Sequence, residues 1–283
     1  MKVVVSRMIG AIARAFLMII LIATPSILVP GVSQESGQIV AIVAIFAAAL
    51  TIFEYASTYP GLVEFRDAPP FNRIRFAALF ATVFCLSVIV RGQTDNSTAT
   101  QFLTSVGMLI GQAIDFPYSP VRFVVSMLPE NASFSDMVLL RAAAGMSYLI
   151  SLLSMAVFLI ALRFTEWPSK SAGAFNVWVN LPTFDPTTGG DVVRRLVRDA
   201  RFNIALGFLL PFATPLLISA AVSLFGSMSV ANHQTMIWTV AAWAFLPASL
   251  FMRGIAMLRV ALMISSERKR NKRRAQGSGL MPA

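Results

Sequence analysis

Six apolar stretches dominate this sequence, at 8–29, 37–56, 73–90, 138–162, 203–225 and 236–256. A helix needs roughly 20 apolar residues to cross a hydrocarbon core, and each stretch is close to that length. A chain with this pattern has few options. In lipid every backbone N–H and C=O must be satisfied within the protein, so spanning segments are helices or closed barrels. Long apolar runs without period-two alternation are helical. Composition agrees: 57% of residues are hydrophobic and 13% charged, against about 25% charged in soluble domains. The expected fold is all-α, a polytopic integral membrane bundle of about six transmembrane helices within residues 1–264. A basic tail, 265–283, follows and is expected to be disordered. Lys2 and Arg7 precede the first run as in a signal peptide. No small-x-small cleavage site follows near Pro30, so an uncleaved span is expected.

Charge orients the bundle. With six spans both termini lie on one side, and the loops of that side hold 17 Lys and Arg, against only Arg91 and Arg122 opposite. The positive-inside rule makes the rich side cytoplasmic. Arg outnumbers Lys 19 to 4, read here as a GC-rich bacterial genome, hence a bacterial inner membrane. Arg268, Lys269, Arg270, Lys272, Arg273 and Arg274 in the tail serve orientation and contact with anionic headgroups. With no aromatic stacking residue or folded module around them, nucleic acid is not an expected partner.

Residues 91–135 do not fit a span. QFLTSVGMLIGQAI (101–114) is too short, DFPYSP breaks it, and VRFVVSML (121–128) is shorter still. Phe102, Leu103, Val106, Leu109, Ile110 and Ala113 share one helical face, and Thr104, Gly107 and Gly111 another. An outer amphipathic hairpin follows, lying in the membrane interface or dipping in as a re-entrant pair. The Gly107-x-x-x-Gly111 face suits close packing on another helix. Asn96 and Asn131 head Asn-x-Ser/Thr sequons, read in a bacterium as polar loop.

The long loop 165–203 places Trp167 and Trp178 at headgroup level. NVWVNLPTFDP, with Val177, Val179 and Leu181 alternating with polar or aromatic neighbours, reads as a short extended segment. Asp191 suits an N-cap. The helix after it puts Val192, Val193, Leu196, Val197 and Ala200 on one face, with Arg194, Arg195, Arg198 and Arg201 opposite. This is a cytoplasmic amphipathic linker helix on anionic lipid. The TTGGD turn is no P-loop, because Asp191 would repel a phosphate and no Lys-Ser/Thr follows the glycines.

Charges and prolines inside spans are the usual functional pointers. Arg14 and Glu54 sit at similar depth on the first two spans. Either they pair, or Arg14 snorkels and Glu54 is solvated. Pro211 and Pro215 stand one turn apart in the fifth span and Pro247 interrupts the sixth. Arg253 marks the inner boundary of the sixth span, and Arg141 can pair with Asp136 or Asp115. The lone Cys85 and lone His233 provide no catalytic or metal constellation, so neither an enzyme nor a cofactor is expected. The leading function class is a non-catalytic accessory, assembly or scaffolding subunit with a membrane-protein partner. The alternative is a small-solute transporter or channel built on Arg14, Glu54, Pro211 and Pro215.

Overall fold

A computed structural model describes residues 2–66, 69–128, 132–165, 167–168, 176–185, 187, 189–225 and 232–277. Among these, every regular element is a helix. In chain order they are α1 (Lys2–Leu28), α2 (Gln34–Ala56), α3 (Pro69–Arg91), α4 (Thr98–Ala113) and α5 (Pro120–Val125). α6 (Phe134–Thr165), α7 (Val177–Asn180), α8 (Val192–Phe225) and α9 (His233–Gly277) follow. Six of them, α1, α2, α3, α6, α8 and α9, are long and apolar enough to cross a membrane. The expected all-helical, multi-pass bundle is the observed one.

α3, α6 and α9 pack on one another at the centre. α1 lies along α3 and α2 along α1, while α8 lies along α9. α4 and α5 cover the start of α6. Two apolar clusters fill the bundle at different heights. One gathers Leu21, Leu86, Ile89, Leu140, Ile237 and Val240. The other gathers Phe65, Phe71, Phe158, Leu181, Leu196, Met252 and Met257. This second cluster lies at the end where α9 finishes, called the basic side below.

Side-chain size is distributed as a lipid solvent requires. Lipid tails are as apolar as Leu, so burying Leu yields little, whereas small residues let backbones approach. α6 accordingly buries Ala142, Ala143, Ala144, Gly145, Ser147, Ser151 and Ser154. Large apolar groups such as Ile42, Phe46, Phe53, Leu153, Ile160, Phe208 and Leu217 face outward.

The hairpin of α4 and α5 follows the same logic. α4 buries Thr100, Gly107 and Gly111 and turns Phe102 and Leu109 outward. Its glycines cross α6 at Gly145. A Cβ on Gly145 would lie 2.4 Å from the Gly111 nitrogen and 2.5 Å from the Gly107 oxygen. Only hydrogen fits there. α4 is thus clamped onto α6. Asp115, in the break after it, draws in both flanking helices. Its Oδ1 accepts from Arg122 Nε at 2.8 Å. Its Oδ2 lies 2.9 Å from Arg141 Nε, a charge contact whose angle makes no hydrogen bond.

Two expectations are corrected. NVWVN forms the helical turn α7 rather than a strand, because Asn176 Oδ1 accepts from the Trp178 and Val179 amides and starts a helix. The basic tail to Gly277 is helical rather than disordered and continues α9. It contains no Gly or Pro before Gly277, is rich in good helix formers, and gains a Glu267–Arg270 pair at i,i+3. Residues 278–283, Lys170 and the sequon residue Asn131 lie outside the described residues. The linker helix and the fifth span form one continuous α8, capped at Asp191 as expected. The Asp191 carboxylate accepts from the Arg194 amide at 3.3 Å.

Candidate anion site on the basic side

The loop between α2 and α3 is ordered by the last acidic residue of α2. Glu54 is 5% exposed. Its Oε2 accepts from the amides of Gly61, Leu62 and Val63 at 3.0, 2.8 and 3.0 Å. Arg66 closes the ring, its Nη1 donating to Ser57 O at 2.6 Å and to Glu54 O at 3.3 Å. Glu54 is therefore an anion held in a nest of backbone amides, neither solvated nor paired with Arg14. The pairing open in the sequence is not formed. Arg14 Nη1 instead donates to Gly10 O at 2.7 Å, and its guanidinium lies 4.5 Å from the centre of the Tyr55 ring.

The loop then buries Phe65 against Phe71 and Trp167, with centroids 4.6 and 5.7 Å apart. Its left-handed backbone, φ 50°, is held by its amide donating to Asn180 O at 2.6 Å. This fixes Glu64 as the hub of the basic side. Arg253 of α9 clasps the Glu64 carboxylate with Nε at 2.5 Å and Nη2 at 2.8 Å, a bidentate fork. Thr183 donates to the same carboxylate at 2.7 Å, and Arg253 Nη1 reaches Asn203 of α8 at 2.8 Å. Burial alone would raise the Glu64 pKa. The hydrogen bonds from Arg253 and Thr183, with the positive charges of Arg253 and Arg75, outweigh it and hold the carboxyl below its ordinary value.

Beside this hub lies a cavity of about 480 Å³, within the range of small-molecule sites. Its walls come from α1, α2, the loop around Glu64, α3 and Thr183. Four arginines line it, Arg14, Arg66, Arg73 and Arg75, with Glu64 as the one carboxylate of the lining. Glu64 is already neutralised by Arg253. Arg75 sits 4.9 Å from the Phe71 ring and 5.8 Å from that of Phe245, and its buried Nε has no hydrogen-bond partner. Arg73 is exposed on the same helix. Leu17 and Met18 supply an apolar floor, and Leu62 and Phe76 add apolar lining nearer the mouth. Such a chamber can hold an anion on its guanidinium groups, since the hydroxyl hydrogens of Thr51 and Thr183 are already given to Ala47 O and Glu64.

The other basic residues divide. Arg194, Arg198 and Arg201 are exposed along α8. Arg195 departs from the expected outer face. It turns onto the loop, lying 4.8 Å from the Phe184 ring and donating to Asp185 O at 2.9 Å. In the tail Arg268 donates to Asp191, which with the Arg194 amide holds that exposed carboxyl below its ordinary pKa. Lys269, Arg270, Lys272, Arg273 and Arg274 are exposed.

The prolines do not open α8. Pro215 has no amide hydrogen, so the Pro211 carbonyl loses its helical donor. The Trp243 indole donates to that carbonyl instead, at 2.9 Å. Near Pro247, Ser151 donates to Ala244 O at 2.9 Å.

Arg14, singled out in the sequence, lines this cavity, and its neighbours there were not singled out. Arg73 and Arg75 counted only among the orientation charges, and Glu64 drew no reading. The two-residue spacing of Arg73 and Arg75 at the start of a span was the available signal. Comparison with protein-family models, curated proteins and solved structures finds no match to this chain.

Proposed function

We propose that the chain is a non-catalytic accessory or assembly subunit of a bacterial cytoplasmic membrane. Both termini lie in the cytoplasm, and the basic side holds an anionic group. The observation that carries this reading is the four-arginine cavity whose single carboxylate is already neutralised by Arg253. With Glu64 committed to Arg253 and Arg66 to the Glu54 loop, the lining's Arg14, Arg73 and Arg75 favour a ligand anion. The exposed Arg194, Arg198, Arg201 and the tail add a cationic face for anionic headgroups. The transporter alternative rested on Arg14, Glu54, Pro211 and Pro215. Glu54 and the Pro211 carbonyl are occupied by internal partners, which leaves that reading less to work with.

The test is gentle extraction of the tagged full chain followed by native mass spectrometry. A stoichiometric protein partner is expected. A partner-free chain whose thermal stability rises with one soluble solute would replace the accessory reading with transport. Reporters fused after Ala283 and within 182–190 are expected to report cytoplasm, and one near Asn96 the exterior. A cytoplasmic Asn96 would break the six-span arrangement.

A further inference from the structure

We infer that the cavity binds one anionic phospholipid, phosphate at the arginines and an acyl chain along the floor. The inference deepens the reading above by naming the ligand of the same site. Its argument is one of depth. The first candidate span begins at Arg7, so at 1.5 Å per residue Arg14 lies about 10 Å along the helix and Leu17 about 15 Å. From mouth to floor the lining therefore changes from cationic to apolar: Arg73 and Arg75 lie about 5 and 8 Å into α3, Arg14 about 10 Å into α1, and Leu17 and Met18 about 15 Å. A free anion matches the first half of that gradient and leaves the floor without purpose. An amphiphile matches both halves. Access from the bilayer is also present. α2 packs along α1 without a comparable contact on α3, and Leu17, which lines the cavity, is 44% exposed.

The phosphate oxygens find guanidinium donors in a fork geometry suited to them. Arg73 has no ion-pair partner among the described residues, and the buried Nε of Arg75 has no acceptor. Arg14 spends one nitrogen on Gly10 O and retains others.

The experiment uses the full chain in mild detergent, delipidated and then titrated with defined lipids under native mass spectrometry. Phosphatidylglycerol should be retained at one molecule per chain, at least about tenfold more tightly than phosphatidylcholine, as one or two charge-assisted hydrogen bonds require. Arg73→Gln and Arg14→Gln should each weaken retention severalfold to tenfold, while Arg91→Gln on the opposite side should not. Arg73 is exposed, so its variant tests the site even if a variant of the buried Arg75 fails to fold. Equal retention of both lipids, or indifference to Arg73→Gln, overturns the inference. So does inorganic phosphate or glycerol phosphate stabilising the chain as strongly as the lipid, which would assign the site to a soluble anion. A copurifying protein partner with no retained lipid leaves the accessory reading in place and removes only the lipid.

Discussion

Trp243 of α9 donates its indole N–H to the carbonyl of Pro211 in α8, at 2.9 Å. That carbonyl is the one Pro215 leaves without a donor. The two helices are therefore joined at a point where one would otherwise be defective, and the ring stacks on Tyr148 of α6, 6.1 Å between centroids.

Trp243→Phe should keep the ring and lose the donor. The expected cost is about 1 kcal/mol, since hydrogen bonds between membrane helices average somewhat less than that and reach about 1.7. Pro215→Ala restores a helical donor to the same carbonyl. The double variant should therefore lose less than the sum of the two single changes in a detergent unfolding cycle. Strict additivity would mean that the indole bond contributes nothing.

Gly145→Ala places a methyl group against the backbone of α4, where no flexible side chain can yield. Overpacking of this kind costs about 1–3 kcal/mol, read as a lower midpoint on thermal unfolding. Gly37→Ala is the control, because nothing lies within 4 Å of a Cβ there. It should be neutral or gain up to about 1 kcal/mol from helix propensity.

The Glu64–Arg253 clasp sets a pH dependence. The folded pKa of Glu64 is below its ordinary value of 4.5, so its contribution is fully present above pH 4.5. It is lost as pH falls through the folded value. Wild-type stability should decline on acidification below pH 4.5, and Glu64→Gln should flatten that decline. Arg253→Gln strands the half-buried carboxylate and should lower stability by less than the about 3–5 kcal/mol of a fully buried pair. An acid profile unchanged by Glu64→Gln would place the sensitivity elsewhere.

Arg14→Leu and Glu54→Gln should be additive within about 0.5 kcal/mol, because each side chain has its own partners. Glu54→Gln is the more damaging of the two, since it weakens three amide bonds to the loop that shapes the cavity. A coupling well above that margin would mean that the two charges interact after all.

The spans were readable because a membrane helix must be apolar along its whole length, which leaves a local mark. The α4–α5 hairpin was readable because Pro117 and Pro120 break it into two pieces too short to span. The site was not, and the cause is physical. Glu64 and Arg253 are 189 positions apart, and neither has a local pattern that announces the other. The cavity takes its arginines from α1, the loop after α2 and α3, so only the packing of α1 on α3 makes them neighbours. The tail misled for a different reason. A run of like charges reads as solvated coil, yet here it inherits helix from the apolar segment before it, and Arg268 finds Asp191 across the surface.

The glycine crossing of α4 and α6 also bears on biosynthesis. α4 leaves the ribosome before α6, so the groove it occupies does not exist when it first emerges. Until Gly145 has been delivered, α3 is, among the described residues, the one neighbour of α4 in the finished bundle that precedes it in the chain. A joint with no room for a methyl group cannot form loosely and tighten later. Its closure requires Gly145, and a chain interrupted before residue 145 lacks it entirely.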